Sequence, residues 1–281
     1  MSPLRFSFAT NLFVDRSVEA ALSAIAGAGF REVEILADEP HARMDRSALQ
    51  SYSSLPRLLA DLGIAVSAVN ANTVRCMSGG GAGDFFAFRP SLHERDPKAR
   101  RSRVEYTRRA IEFCAMVHAP VCVIASGPRP VAENRGVERS LLNESLPELI
   151  DFADEHGVRL AFEYEPGLLI GGYKDLRSLL SRHEMLTANL DIGHAVVCGE
   201  DPVKVAHGLG GRIANVHFED ICGCVHRHLP PGEGDVDLAG TLTALEEIGY
   251  DGAIAFELYS CTDRADEVLQ MAASYAKRRQ D

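Results

Sequence analysis

The sequence contains no apolar run that approaches the roughly 18 residues of a membrane-spanning helix. Its first residues, Met1–Arg5, lead directly into a strand-like segment and lack the apolar core and cleavage site of a signal peptide. Basic residues are also in deficit, because 29 Lys and Arg against 40 Asp and Glu give a net charge of −11. A protein that binds phosphate backbones usually carries a basic face. These absences predict a cytoplasmic protein that has no membrane segment and no nucleic-acid partner.

A disulfide framework is also missing. The seven cysteines are odd in number, and the closest pair, Cys222 and Cys224, forms a C-x-C rather than a C-x-x-C. The cysteines are therefore predicted to be reduced thiols, as expected in a reducing compartment.

Short apolar runs alternate with longer amphipathic stretches along the whole chain. The predicted strands are Leu4–Ala9, Glu32–Leu36, Ile64–Val69, Val121–Ala125, Val158–Phe162, Leu186–Leu190, Arg212–Val216 and Ala253–Phe256. The predicted helices are Ser17–Ala28, Arg46–Leu62, Pro97–His118, Glu138–His156, Tyr173–Arg182, Pro202–His207, Asp237–Ile248 and Asp263–Lys277. Eight strand–helix units predict one (β/α)8 TIM barrel domain over residues 1–281. The alternative, a doubly wound open sheet, is disfavoured because no glycine-rich phosphate-binding motif follows the first strand.

Two connections are too long to serve only as links between elements. Asn70–Asp96 and Cys222–Asp235 both follow strands, so in a barrel both lie over the face that carries active sites. The first contains four glycines between positions 79 and 83, and then Phe85, Phe86 and Phe88, which is typical of a hinged lid with an aromatic tip. A plain surface loop and a contact with a second subunit are the alternatives.

Polar residues lie at or near the carboxyl ends of all eight predicted strands, and their side chains are expected to converge on one site. Asn11, Glu34, Asn70 and Ser126 belong to the first four strands, and Glu163, Asp191, His217 and Glu257 belong to the last four. Burying three carboxylates together without a partner is costly because like charges repel. A divalent cation held by Glu163, Asp191, His217 and Glu257 resolves this cost. The donor set suits Mn²⁺, Mg²⁺, Co²⁺ or Zn²⁺.

Two of these carboxylates are also candidates for proton transfer. Glu163 and Glu257 come from strands five and eight, so they can flank a substrate carbon from opposite sides. One carboxylate would remove a proton and the other would return it, which is the layout of aldose–ketose isomerisation or epimerisation.

Further polar residues near the strand ends are predicted to bind substrate. These are Asn70, Glu165, His194, His226, Arg227 and His228. His226 and His228 alternate like residues of a strand and are also candidates for binding a second metal. His118, His156, His183 and His207 lie on or beside helices and are interpreted as structural, whereas His41 is left open between a structural and a functional role.

The motifs together resemble the xylose isomerase-like barrel superfamily of sugar phosphate isomerases and epimerases. The resemblance rests on Phe-Glu163-Tyr-Glu165-Pro-Gly, Leu-Asp191-Ile-Gly-His194, Val-His217-Phe-Glu-Asp, His228-Leu-Pro-Pro-Gly-Glu-Gly-Asp and Phe-Glu257-Leu, in order and over essentially the whole chain. It implies the same tetrad of metal ligands, with Mn²⁺ the most frequent metal, and acid–base roles for Glu163 and Glu257. It also implies a small sugar-like substrate and is compatible with a homo-oligomer.

Two departures from the family patterns bear on the reaction. Ketose 3-epimerases of this superfamily usually carry an arginine six residues after the metal-binding histidine, and this sequence has Gly223 there. Endonuclease IV-like members bind three zinc ions with extra histidines after strands three and four, and this sequence has Asn70 and Ser126. The sequence favours an isomerase or epimerase over a metal-dependent lyase, of the dehydratase or C-glycoside deglycosidase type. An endonuclease-like phosphodiesterase and a non-catalytic binding protein are the remaining alternatives.

Overall fold

Eight parallel strands close into a barrel in the structure, a computed structural model that describes residues 4–45, 49–78, 87–131 and 135–280. The strands are β1 (Arg5–Ala9), β2 (Glu32–Leu36), β3 (Ala65–Asn70), β4 (Val121–Ala125), β5 (Arg159–Glu163), β6 (Thr187–Asp191), β7 (Ile213–Phe218) and β8 (Ala253–Phe256). Each strand pairs with its neighbour in sequence, and β1 pairs in parallel with β8. The predicted TIM barrel is therefore confirmed.

Helices surround the barrel and also form part of its carboxyl-terminal face. They are α1 (Val18–Gly27), α2 (Leu55–Leu62), α3 (Arg75–Ser78), α4 (Pro97–Met116), α5 (Gly136–Glu155), α6 (Tyr173–Leu180), α7 (Ile192–Val197), α8 (Pro202–Leu209), α9 (Leu238–Glu247) and α10 (Ala265–Gln280). Short 3-10 helices span Thr10–Leu12, Leu49–Tyr52, Gly210–Arg212 and Tyr259–Arg264. No helix within the described ranges combines the length and the apolar character needed to cross a bilayer.

Several helix boundaries follow from local sequence signals. Ser17, the first residue of the predicted helix, caps α1 by accepting a hydrogen bond from the Ala20 N–H. Of the predicted helix Arg46–Leu62, residues 46–48 lie outside the described residues, Leu49–Tyr52 forms a 3-10 helix, and α2 begins at Leu55 with Pro56 in its first turn. Two helices, α3 and α7, were not predicted, since both are too short to show a hydrophobic period.

The core has two parts. Between barrel and helices lies a large apolar layer in which Phe6, for example, stacks on Phe256 with ring centroids 5.5 Å apart. Inside the barrel, small side chains such as Ala68, Ala161 and Ala214 leave room for buried polar groups. This interior places polar side chains directly beneath the carboxyl-terminal face.

The two long loops differ in how much of them is described. Gly79, Gly80, Gly81, Gly83, Phe85 and Phe86 of the predicted lid lie outside the described residues, and Phe88 lies against the cavity at the barrel mouth. The second loop is held by Asp220, which accepts hydrogen bonds from the N–H groups of Ile221, Gly232 and Val236. All seven cysteines are unpaired, in agreement with the prediction of free thiols.

Candidate metal and acid–base site

The four predicted ligands meet at the carboxyl-terminal end of the barrel. Glu163 and Asp191 are the last residues of β5 and β6, His217 lies in β7, and Glu257 directly follows β8. All four side chains are buried, with at most 6% of any residue exposed. The strand ends point to one place because the parallel strands share one direction, and Asp191 pairs in register with His217.

The imidazole of His217 is the centre of this cluster. Its Nδ1 atom lies 2.8 Å from Glu163 Oε1, 3.4 Å from Glu257 Oε2 and 3.7 Å from Asp191 Oδ2. Its Nε2 atom faces the opposite way and lies 2.9 Å from Glu34 Oε1. The Nδ1 side of the ring therefore faces three carboxylates, and the Nε2 side is fixed by a fourth.

The cluster fits a divalent cation. Ligand-type atoms of Glu34, His217 and Glu257 lie within 4.8 Å of one another, as do those of Glu163, Asp191 and His194, and the two groups adjoin at His217 Nδ1. Asp191 Oδ2 is buried and has no hydrogen-bond partner among the described residues. A buried carboxylate oxygen without a partner is costly, and three carboxylates with one imidazole are a usual donor set for Mn²⁺ or Zn²⁺.

The protein alone sets unequal proton affinities at this site. Burial raises the pKa of Glu163 to about 7 despite the favourable charge of His217. Burial opposes ionisation of Glu257 as well, but His217 and His228 outweigh it and lower the pKa of that carboxyl. The surrounding carboxylates, Glu257 and Glu34 foremost, overcome burial and raise the pKa of His217 well above its usual range. The environment therefore distinguishes two otherwise equivalent carboxylates.

Asparagine amides hold both candidate acid–base carboxylates. Glu163 accepts hydrogen bonds from the Nδ2 groups of Asn72 and Asn189. Glu257 Oε1 accepts from Asn11 Nδ2 at 2.9 Å and from Asn70 Nδ2 at 3.2 Å. Because an ionised carboxylate can only accept, these contacts fix the orientation of each amide.

A polar network inside the barrel supports the cluster from below. Asn215 Nδ2 donates to Glu34 Oε2 and to Asn189 Oδ1, both at 2.8 Å. Asn189 Nδ2 in turn lies 3.1 Å from His217 Nδ1. Glu34 is among the predicted strand-end residues but has no predicted role, and neither asparagine is a predicted site residue. Their signal was available, since an asparagine within a buried strand needs a partner.

Three histidines form a second cluster beside the first. His228 Nε2 lies 3.3 Å from His226 Nε2, and the ring centroids of His194 and His226 are 4.8 Å apart. His194 Nε2 also lies 3.5 Å from Asp191 Oδ2, and His228 Nδ1 lies 3.3 Å from Glu257 Oε2. The structure thus brings these three predicted residues together next to the four predicted ligands, and ligand-type atoms of all three lie within 4.8 Å of one another.

A cavity of about 530 Å³ opens above the cluster. Predicted residues along its wall are Asn70, Glu163, Glu165, His194, His226 and Glu257, and further residues that sequence analysis did not assign include Asn72, Arg75 and Tyr259. His228 is fully buried behind this wall, whereas Arg227 is exposed and does not line the cavity. Asn70 lines the cavity, but its two amide atoms already contact Glu257 and the Asn72 N–H.

Glu219 is a second buried carboxylate that sequence analysis passed over. It is fully buried, its Oε1 accepts the Gly193 N–H, and its ligand-type atoms lie close to those of Asp191 and His228. Burial and the neighbouring Asp191 raise the pKa of Glu219 well above its usual range. Any side chain at Gly193 would overlap Glu219, which explains the glycine in Asp-Ile-Gly-His.

The remaining histidines have structural contacts. His41 is buried with its Nε2 atom 3.0 Å from the Phe13 carbonyl, which resolves its open interpretation in favour of a structural role. His156 contacts the Phe152 carbonyl and His183 contacts Asn143, as expected of structural histidines on helices. His93, which received no assignment from the sequence, is likewise buried between the carbonyls of Ser126 and Pro128.

The chain is similar in sequence to a known family and to several characterised proteins. Residues 22–278 match the model of the xylose isomerase-like TIM barrel. Among characterised sequences, L-ribulose-5-phosphate 3-epimerase UlaE of Salmonella paratyphi A is 26% identical over 240 residues, which are 83% of this chain and 79% of UlaE. An inosose dehydratase of Lacticaseibacillus casei is 28% identical over 135 residues, covering 41% of this chain and 45% of the dehydratase.

A protein of unassigned activity, MJ1311 of Methanocaldococcus jannaschii, is 30% identical over 196 residues. The match spans 64% of each of the two chains.

Solved structures show the same fold. A D-tagatose 3-epimerase-like protein superposes with a TM-score of 0.76 at 22% identity, covering 98% of this chain and 99% of that protein. The IolI protein, solved with a zinc atom, superposes with a TM-score of 0.76 at 19% identity and covers 98% of both chains. The family model accounts for most of the sequence, and the chain belongs to the xylose isomerase-like TIM barrel family.

Proposed function

We propose that this protein is a divalent-metal-dependent isomerase or epimerase that acts on a sugar or sugar-like carbonyl substrate by carboxylate-mediated proton transfer. The observation that carries the proposal is the placement of Glu163 and Glu257. Both are buried, both line the same cavity, and they approach His217 Nδ1 from β5 and from the end of β8.

The two carboxylates would act on one carbon of the substrate. One removes the proton from a carbon next to the carbonyl, and the electron pair of the broken C–H bond is delocalised into that carbonyl. The other carboxyl group, protonated beforehand, returns a proton to the opposite face of the same carbon for epimerisation. For isomerisation the proton is returned to the former carbonyl carbon instead, while the hydroxyl on the first carbon gives its proton to the former carbonyl oxygen and becomes the new carbonyl. The amides of Asn72 and Asn11 keep the carboxylates in place while this happens.

The metal would be held by Glu163, Asp191, His217 and Glu257, and we propose Mn²⁺, with Zn²⁺, Co²⁺ and Mg²⁺ as further candidates. Bound there, the cation would polarise the substrate carbonyl and increase the acidity of the adjacent C–H bond. We further propose that Glu165, His194 and His226 bind substrate hydroxyls, because all three line the cavity beside the carboxylates.

The test is hydrogen exchange with solvent. The Mn²⁺-loaded protein is incubated in D2O with free and phosphorylated ketoses and aldoses, and products are followed by proton NMR and mass spectrometry. We expect deuterium at a carbon next to the carbonyl. Glu163→Gln and Glu257→Gln should each slow the exchange by roughly 100- to 10,000-fold, the usual contribution of an acid–base group. Glu148→Gln, on the outer helix α5, is the matched control.

A lyase that begins with the same proton removal is the second candidate. The observation that favours it is Gly223, which is exposed and lies outside the cavity wall, at the position where ketose 3-epimerases carry an arginine. Product mass separates the two reactions, since an isomerase leaves it unchanged and a dehydratase lowers it by one water. Substrate consumption with neither solvent exchange nor a loss of mass would contradict both.

A further inference from the structure

Arg103 is a fully buried cation behind the candidate site. It lies on α4 with 1% of its surface exposed, and its Nη2 atom donates hydrogen bonds to the carbonyls of Ala71, at 2.6 Å, and Asn72, at 3.0 Å. Its Nε and Nη1 atoms have no hydrogen-bond partner among the described residues. A buried guanidinium whose hydrogen bonds within the described part of the chain reach only backbone carbonyls is costly, and the Tyr106 ring is its one aromatic neighbour there, with the centroid 5.9 Å away. We therefore expect its contribution to lie in the segment that it holds.

That segment connects the two candidate acid–base carboxylates. The Asn72 amide donates to Glu163 Oε2, and the Asn72 backbone N–H donates to Asn70 Oδ1 at 3.1 Å. The Asn70 amide donates to Glu257 Oε1. Residues 70–72 therefore contact both carboxylates through amides that depend on the backbone position.

Arg103 holds residues 71 and 72, and a second buried residue holds the residues that follow them in the chain. Asp38 is fully buried and accepts hydrogen bonds from Thr73 Oγ1 at 2.7 Å, from the Arg75 N–H at 2.6 Å and from the Cys76 N–H at 3.1 Å. Asp38 thus fixes residues 73–76, and Arg103 fixes residues 71 and 72 directly before them. Without the guanidinium, two buried carbonyls would lose a donor, and the Asn72 amide would no longer be held against Glu163.

We propose that Arg103 is a positioning residue, which acts through Asn72 to hold Glu163 in the geometry for metal binding and proton transfer. This inference rests on the proposed function in so far as Glu163 is taken to be a metal-ligating acid–base group. It gives α4 an indirect effect on the chemistry, although this helix contributes no side chain to the cavity wall within the described part of the chain.

The experiment measures Mn²⁺ affinity by calorimetry, so that it does not depend on turnover. The metal-free full-length protein is titrated as wild type, Arg103→Met, Asn72→Leu and the double variant. We expect each single variant to weaken Mn²⁺ binding by roughly 10-fold, in the range measured for residues that orient metal ligands. We expect the double variant to bind no more weakly than Asn72→Leu alone, because both changes remove the same support.

Two further variants separate positioning from general stability. Arg212 also uses Nη2 to hold backbone carbonyls, those of Leu180, His183 and Leu186, but it lies directly before β7, at the opposite end of the barrel. Arg212→Met should lower the melting temperature without changing Mn²⁺ affinity. Arg103→Lys keeps a donor and a charge and should recover affinity relative to Arg103→Met, which also covers the case that the latter folds poorly.

The outcomes are distinct. The inference would be overturned if wild type, Arg103→Lys and Arg103→Met all bound Mn²⁺ with equal affinity. It would also be overturned if the losses of affinity in Arg103→Met and Asn72→Leu multiplied in the double variant. A shared loss of affinity supports it even where no sugar shows solvent exchange, and in that case only the proposed reaction fails.

Discussion

The side chains around His217 determine which of its ring nitrogens faces the candidate metal site. The ring presents Nδ1 to the three predicted carboxylate ligands and is held from behind by Glu34. A carboxylate on the far nitrogen fixes the tautomer in which Nδ1 is free to bind a metal, and it increases the basicity of that nitrogen. We therefore expect Glu34 to increase the affinity of the site for the metal through its hydrogen bond with His217, without being a ligand itself.

Glu34→Gln should weaken Mn²⁺ binding by roughly 10-fold, because a neutral amide is a poorer acceptor for the His217 N–H. The measurement is calorimetric titration of the metal-free protein. Glu32→Gln is the matched control on the same strand, since Glu32 pairs with the half-exposed Arg5 instead. An unchanged affinity in Glu34→Gln would show that the contact has no effect on the metal.

A second residue-scale prediction concerns acid stability. Burial lowers the pKa of His41 from 6.5 to about 4. The unfolded chain therefore binds a proton at higher pH than the folded chain, so stability from this group is complete above about pH 6.5 and declines as pH falls towards 4. From about pH 7.5 to about pH 5, wild type should lose about 2 kcal/mol more unfolding free energy than His41→Gln.

Urea unfolding at the two pH values measures this difference. Gln retains an N–H donor for the Phe13 carbonyl but does not titrate, so it isolates the protonation of the ring. Parallel losses in wild type and variant would contradict the prediction.

At the scale of elements, the conformation of the β7–α9 loop depends on close packing of its backbone. The loop folds back so that Asp220 and Leu229 form an antiparallel bridge with two backbone hydrogen bonds. This bridge places His228 against Glu257. Gly234 packs where a Cβ atom would overlap Asp220 Oδ1 and the Ile221 carbonyl. A larger residue there would have to displace the loop.

Gly234→Ala should lower unfolding stability by about 1–3 kcal/mol, as is usual for overpacking, and should raise the KM of an accepted sugar because His226 moves with the loop. Gly211→Ala is the control, because a Cβ atom there meets no atom within 4 Å. Thermal unfolding and steady-state kinetics check the two effects. A variant with wild-type stability and KM would mean that the loop adjusts freely.

The hydrophobic pattern predicts the strands and the long helices, but not every strand end or short helix. The eight strands were predictable because each is a short apolar run, and four of them extend further than predicted, to Asn70, Glu163, Asp191 and Phe218. Three of these strands end in a polar residue, and in β7 the polar His217 precedes Phe218, so each apolar run looks finished before the strand ends. The helices α3 and α7 escaped prediction because a single turn shows no 3.6-residue period.

At the scale of the whole molecule, barrel closure joins residues from distant parts of the chain into one cluster. Asn11 contacts Glu257, and Glu34 contacts His217, across separations of 246 and 183 residues. A cation bound there would link β5, β6, β7 and β8. Metal binding should therefore stabilise the barrel as a unit.

Adding Mn²⁺ at about 100 times its Kd should stabilise the folded protein by about 2.7 kcal/mol, which corresponds to about 5 °C in melting temperature for a chain of this size. Scanning calorimetry of chelator-treated and reloaded protein measures the shift. The same addition should leave the melting temperature of His217→Ala unchanged. A shift of equal size in that variant would place the metal elsewhere.

The sequence by itself determined the strand count, the order of the elements and the four candidate ligands, since apolar runs must be buried and parallel strands carry their last residues to one edge. Tertiary structure alone decided which side chains support those ligands. Glu219 and Arg103 lie after a strand and on a helix, where nothing in the local pattern distinguishes them from ordinary polar residues. The position of Asn189 and Asn215 within buried strands indicates that each needs a partner, but it does not indicate which one. Their roles arise from contacts between residues far apart in the chain, which exist only once the barrel has closed.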